Sequence, residues 1–161
     1  MAPTLFTIGI YGWDEGVFHA RLRTTPIDVL VDVRQRRGVR GRDARFGNVS
    51  RLEPALLDSG IDYQHLKDLA PSSTVRAMQA EEDSRSATTK RQRRNLSPAF
   101  VAAYRQQIDG SPGIDQLQGL LLRGHRPVLL CVERDPSACH RSVLAEVLDS
   151  GQGIEVHHLL P

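Results

Sequence analysis

The stretch that most constrains how this chain folds is Arg126 to Leu148, RPVLLCVERDPSACHRSVLAEVL. Pro127 to Val132 is a short apolar run closed by charge, the pattern of a strand buried on both faces and stopping near Glu133. Asp135 and Pro136 initiate a turn, Ser137 offers a helix cap, and Val143, Leu144, Val147 and Leu148 recur at helical spacing. A buried strand passing through a tight elbow into a helix implies a parallel sheet covered by helices. The same reading places Cys139, His140 and Arg141 in the helix's first turn, where unpaired N–H groups favour anions. Ligands of open parallel sheets also gather outside the strands' carboxyl ends.

The rest of the chain repeats this alternation. Leu5 to Ile10 reads as a first strand, followed by a helix capped by Asp14 with Val17, Phe18 and Leu22 inward. Ile27 to Val33, IDVLVDV, reads as a second buried strand. Asn48 caps a helix with Leu52, Ala55, Leu56 and Leu57 inward and Gly60 as its stop; Ile61 to Leu66 follows as a third strand. A stripe of Phe100, Val101, Tyr104 and Ile108 predicts a core helix after Ser97 and Pro98, and Ile114 to Leu122 predicts another. Ile154 to Leu160 reads as a last strand, on which His157 and His158 point to opposite faces. The expected architecture is α/β: a single three-layer domain over residues 1–161, with a mostly parallel sheet of about five strands flanked by helices. A polar, flexible insertion is expected around residues 70–96, where apolar residues are few.

At 161 residues the chain can bury a core of ordinary size. No segment has the length and apolarity to span a bilayer and the opening lacks a leader pattern, so a cytoplasmic protein without membrane contact is expected. Two cysteines make no disulfide framework. The absence of Cys-x-x-Cys and His-Glu-x-x-His spacings disfavours structural zinc, so no metal ligands are assigned, although an oxygen-rich magnesium site at Asp32, Glu133 and Asp135 stays open. The residues name no cofactor and no oligomeric state. Net charge is only +2, but six arginines fall between Arg34 and Arg45, and Lys90 to Arg94 holds four basic residues in five.

Three stretches together resemble domain-of-unknown-function family 488: LFTIGIYGWDEGVF, IDVLVDVRQRRGVR and LLCVERDPSACHRSVLAEVL. GIDYQHLKDLAP and the closing VHHL are similar as well. The resemblance singles out Asp32, Arg34 and Arg40 in the loop after the second strand, and Glu133, Cys139, His140 and Arg141 in the elbow. Ile10 and Tyr11 stand where relatives commonly carry His and Ser, and the Tyr11 hydroxyl offers partial replacement. The resemblance supplies a fold and a site but no reaction.

Three functions remain open. One is an enzyme acting on a nucleotide or nucleic-acid phosphate, with Asp32 or Glu133 as base, His140 as acid, and Arg34, Arg40 and Arg141 as anion contacts, joined by Tyr11 and His65. The second is a non-catalytic nucleic-acid or anion-binding module using the two basic clusters, in which Arg36, Arg37, Arg42 and Lys90 to Arg94 dominate. The third is a cysteine-dependent enzyme using Cys139.

Overall fold

The computed structural model describes residues 1–90 and 92–161; Arg91, part of the expected Lys90–Arg94 cluster, lies outside the described residues. Five strands, β1 (Thr4–Ile8), β2 (Val29–Asp32), β3 (Asp62–His65), β4 (Pro127–Leu130) and β5 (Glu155–Leu159), form one sheet in the order β3-β2-β4-β1-β5. Every neighbouring pair is parallel. The helices are α1 (Glu15–Thr24), α2 (Val49–Asp58), α3 (Ser73–Arg85), α4 (Pro98–Ile108), α5 (Pro112–Leu122) and α6 (His140–Asp149). Short 3-10 turns occupy Arg42–Gly47, Lys67–Leu69 and Pro136–Ala138.

Side-chain alternation along the central strands splits the core in two. Leu5, Val29, Val31, Leu129 and Cys131 face Phe100 and Tyr104 of α4, Leu117 and Leu121 of α5, and Leu144 of α6. Phe6, Ile8, Leu30, Val128 and Leu130 face Phe18 and Leu22 of α1, Phe46, and Leu52 and Leu56 of α2. Helices on both faces of a parallel sheet give the expected three-layer α/β domain. No described helix is long and apolar enough to cross a membrane.

The register determines where chemistry is possible. Ile8 and Asp32 both stand level with Leu130, so β1, β2 and β4 end together. Gly9, Val33 and Cys131, one residue further on, begin the loops at that edge. The chain leaves the sheet at Leu130, before the expected Glu133, because Val132 turns its carbonyl back to accept from the backbone N–H groups of Ile10 (3.1 Å) and Tyr11 (3.0 Å). Helix α6 likewise starts at His140, later than expected. Pro136 opens a 3-10 turn, and the Ser137 hydroxyl donates to the Arg94 carbonyl (2.6 Å) instead of capping.

Other local expectations shift for similar reasons. Asn48 precedes α2 as expected, but its side chain accepts from Val39 N–H at 2.6 Å and so holds the arginine-rich loop. Phe18 with Leu22, and Leu52 with Leu56, set the inward faces of α1 and α2, which leaves Val17 and Leu57 exposed. Residues 73–85 of the polar stretch form α3, which buries Val75 and Gln79; the Gln79 amide oxygen accepts from Ser97 N–H at 2.8 Å.

Gly9 allows the elbow to close onto β1. A Cβ there would lie 1.9 Å from the Glu133 carbonyl oxygen and 3.2 Å from an Arg141 guanidinium nitrogen. Gly9→Ala must displace backbone, so we expect a loss on the order of 3 kcal/mol, or about 6–12 °C in Tm for a chain of this size, measured by thermal unfolding.

Candidate functional site

The elbow between β4 and α6 is held by a buried cation. Arg141 is wholly buried and donates from Nη1 to the Glu133 carbonyl (2.6 Å), from Nη2 to the Arg134 carbonyl (3.0 Å) and from Nε to Thr7 Oγ1 (3.4 Å). Its guanidinium is spent on the protein's own oxygens, so it shapes the site from beneath and presents no fork to the cleft.

A second buried knot closes the end of β2. Asp32 accepts from Arg34 Nε (2.8 Å), Arg34 Nη2 (2.7 Å) and the Tyr63 hydroxyl (2.7 Å), while Arg34 Nη1 donates to the Gly47 carbonyl (2.8 Å). Burial first, and then the Asp32 carboxylate, push the Tyr63 phenol up. His65 Nε2 faces the Arg34 carbonyl at 2.8 Å; a carbonyl only accepts, so the ring donates. Asp32 is completely buried and committed to these partners. Among the described residues, the expected grouping of Asp32 with Glu133 and Asp135 around a cation is not formed; the one close donor group is Cys131, Cys139 and His140.

The reactive groups meet between the knots. Cys131 at the end of β4 and Cys139 and His140 at the start of α6 place two sulfurs and a ring nitrogen within 4.8 Å of one another. His140 Nδ1 lies 3.6 Å from Cys131 Sγ and 3.8 Å from Cys139 Sγ, and Nε2 donates to the Val33 carbonyl at 3.0 Å. Tyr104 sets its ring edge to face against the imidazole, at 5.4 Å and 84°. Burial opposes charge on Cys139, but the Cys131 thiol, His140 and Arg141 outweigh it and hold Cys139 well below the ordinary thiol range. The hydrogen bond to Cys139, reinforced by burial, pushes Cys131 well up. Burial also works against a charged His140, and the negative Cys139 sulfur overcomes it. Cys139 is only 1% exposed, so an electrophile meets it only at the floor of the cleft above.

That cleft, about 600 Å³, is lined by Arg34, Arg36, Arg76, Lys90, Arg93, Glu133, Cys131, Cys139 and His140 together with Pro71, Leu96, Phe100 and Ala138. A second hollow of about 760 Å³ shares Lys90, Arg93 and Glu133 and continues past Tyr11, Trp13, Arg42, Arg94, Arg134 and Asp135. Glu133 thus stands where the two meet. Lys90 Nζ is 3.4 Å and Arg93 Nη1 3.8 Å from its Oε1, and Cys131 Sγ is 3.5 Å from its Oε2. Burial and then the Cys139 charge raise the Glu133 carboxyl, against Lys90 and His140. Arg93 also pairs with Asp83 of α3, which anchors the Lys90 segment over the cleft.

The structure therefore separates the residues expected to act together. Glu133, Cys139 and His140 share the cleft floor and Tyr11 lines the adjoining hollow, whereas Asp32 and Arg141 are sealed and line neither. Arg34 lines the cleft while spending its donors internally, and Arg40 is exposed and lines neither hollow. Cys131 is not among the residues that the sequence singles out for the site, whereas Lys90 and Arg93, expected as part of a basic cluster, stand beside Glu133. Alternation along β4 carried a signal for Cys131, since it puts that side chain on the α6 side of the sheet.

The fold and this elbow define a parallel α/β protein whose cysteine and histidine side chains meet at the carboxyl edge of the sheet. The family model described as Domain of unknown function DUF488 matches residues 15–148, and the chain belongs to that family. No curated protein and no solved structure matches it.

Two outcomes follow from the ion pairs. Asp32→Asn leaves a guanidinium buried without its countercharge and should cost about 3–5 kcal/mol in urea unfolding, against about 1 kcal/mol for Tyr63→Phe. Burial raises the Asp83 carboxyl, but hydrogen bonds from Arg93 and Gln79 outweigh it and hold it below the ordinary carboxylate range. Because the folded value is the lower one, the pair's contribution is complete above the unfolded value, about 4, and is lost as pH falls through the folded one. Acid unfolding curves of the parent chain and Asp83→Asn should differ near neutrality and converge at low pH.

Proposed function

We propose that this protein is an enzyme acting on a nucleotide or nucleic-acid phosphate bound in the cleft over Glu133. What supports the reading is the composition of the cleft walls: a basic rim, an apolar inner wall, the Glu133 carboxylate at the floor, and Asp83, which is paired with Arg93. Arg36 and Arg76 stand on the rim, and Pro71, Leu96, Phe100 and Ala138 supply the apolar wall. Phosphate suits the first surface and the face of a nucleobase suits the second. The adjoining hollow, with Arg42, Arg94 and Arg134, gives a longer polyanion somewhere to run.

In this reading Glu133 is the proton acceptor. Lys90 and Arg93 orient its carboxylate from one side, at 3.4 and 3.8 Å, and leave it facing the cleft. A water placed against it attacks phosphorus and gives its proton to Glu133. The bond from phosphorus to the leaving oxygen breaks, and that oxygen takes a proton from solvent. Lys90, Arg93 and the rim arginines offset the charge gathering on the phosphoryl oxygens. His140 has its Nε2 committed to Val33 and Nδ1 turned to the sulfurs, so the acid role considered from sequence passes to solvent.

The test is turnover of nucleoside mono-, di- and triphosphates, cyclic nucleotides and short DNA and RNA oligomers by the purified chain, followed by product chromatography. Glu133→Gln should lower the rate by about 10²-fold or more with binding retained, as expected for a lost proton acceptor. If the folded parent chain leaves every compound intact, the enzymatic reading fails. Salt-sensitive binding without turnover would instead identify an anion-binding module.

A further inference from the structure

We infer that Cys131, Cys139 and His140 bind one soft divalent cation of the zinc class, with its remaining coordination position turned toward the cleft. The inference does not depend on any reaction of a phosphate substrate. Three observations support it, each independent of the cleft's charge.

The first is spacing. Zinc bound to sulfur at about 2.3 Å and to imidazole nitrogen at about 2.0–2.1 Å in tetrahedral array sets sulfur and nitrogen about 3.5 Å apart. His140 Nδ1 stands 3.6 Å from one sulfur and 3.8 Å from the other, and all three donor atoms lie within 4.8 Å of one another. The donors thus stand near three corners of a tetrahedron, with little movement required.

The second is how the histidine is held. His140 Nε2 donates to the Val33 carbonyl at 3.0 Å, which leaves Nδ1 as the ring atom facing the sulfurs. Metal-binding histidines are oriented in this way, by a backbone carbonyl that fixes the other ring nitrogen as the donor. The Tyr104 ring edge packs against the imidazole and keeps its plane in place.

The third is the rigidity and chemistry of the donor set. All three residues are more than nine-tenths buried, on two elements that Arg141 ties together. Two sulfurs and one imidazole select zinc-class ions over magnesium or calcium, which take oxygen. Three protein ligands with an open fourth position are the pattern of a reactive zinc site rather than a purely structural one. Glu133 stays outside the three-donor group, on the cleft side, with Oε2 3.5 Å from Cys131 Sγ. It is placed to hydrogen-bond a water in the fourth position. On binding, the protons held by the sulfurs and by His140 Nδ1 pass to solvent, so that the ion meets two thiolates and a neutral imidazole.

The experiment uses the full chain, reduced and stripped with a chelator, and needs no substrate. Zinc is titrated against a chromogenic indicator, and cobalt(II) is added in parallel as a spectroscopic stand-in. We expect one ion per chain, a sulfur-to-cobalt charge-transfer band, and the intense visible bands of a tetrahedral site. Cys139→Ser and His140→Gln should each weaken zinc binding at least 10-fold. Should either variant fail to fold, alkylation of the parent chain decides the matter: bound zinc should protect both thiols, and removing it should expose them. The inference is overturned by a folded, reduced chain that takes up no stoichiometric zinc, or by a cobalt complex lacking the sulfur band. A Cys131–Cys139 disulfide that forms equally fast with and without zinc would overturn it as well.

Discussion

The arrangement of this protein depends on a buried guanidinium. Arg141 lies under the elbow that follows β4 and donates to two consecutive carbonyls, those of Glu133 and Arg134, while reaching Thr7 on β1. A loop that turns out of a buried parallel strand would otherwise leave those oxygens unpaired in the interior. Removing the cation would cost more than its own hydrogen bonds, because both carbonyls would lose their partners together. Gly9 is the complementary concession just past β1, since only a residue without a side chain lets the Glu133 carbonyl approach so closely.

Charge is used in two different ways on the two sides of this elbow. Asp32 and Arg34 form an internal pair whose remaining hydrogen-bonding capacity goes to Tyr63 and Gly47, and it serves the geometry of the β2 loop. Glu133, Lys90 and Arg93 form a looser cluster with longer separations at the meeting of two hollows. The first arrangement resists solvent. The second leaves carboxylate oxygen facing it. Residue types that look equivalent in the sequence thus fall into separate categories once the neighbouring strands are known.

Much of the framework was legible without coordinates. Short apolar or alternating runs bounded by turns located all five strands, and paired apolar positions at helical spacing located α1, α2, α4, α5 and α6. Caps were harder to read, because Asn48 and Ser137 each had a competing partner far away in the chain, Val39 and Arg94, and local preference does not register such partners. The acidic and arginine-rich strand ends were recognisable as an edge, but the burial of Arg141 was not: it looks available to an anion by composition and is interior by packing. The meeting of Cys131 with Cys139 and His140 was illegible from spacing alone. The donors are separated by an irregular elbow, and only the emergence of β4 at a shared level with β2 brings Val33 close enough to orient the imidazole.

The strand order has a kinetic meaning as well. β4 is inserted between β1 and β2, so the two earliest strands are not neighbours and are joined only through a segment about a hundred residues downstream. Loop closure over that distance carries a large entropic penalty, and parallel pairings of such separation place a fold among the slower ones. Without β4, β1 and the β2-β3 pair have no strand in common. The thiols and imidazole of the elbow thus adjoin the one strand that joins the β3-β2 pair to the β1-β5 pair.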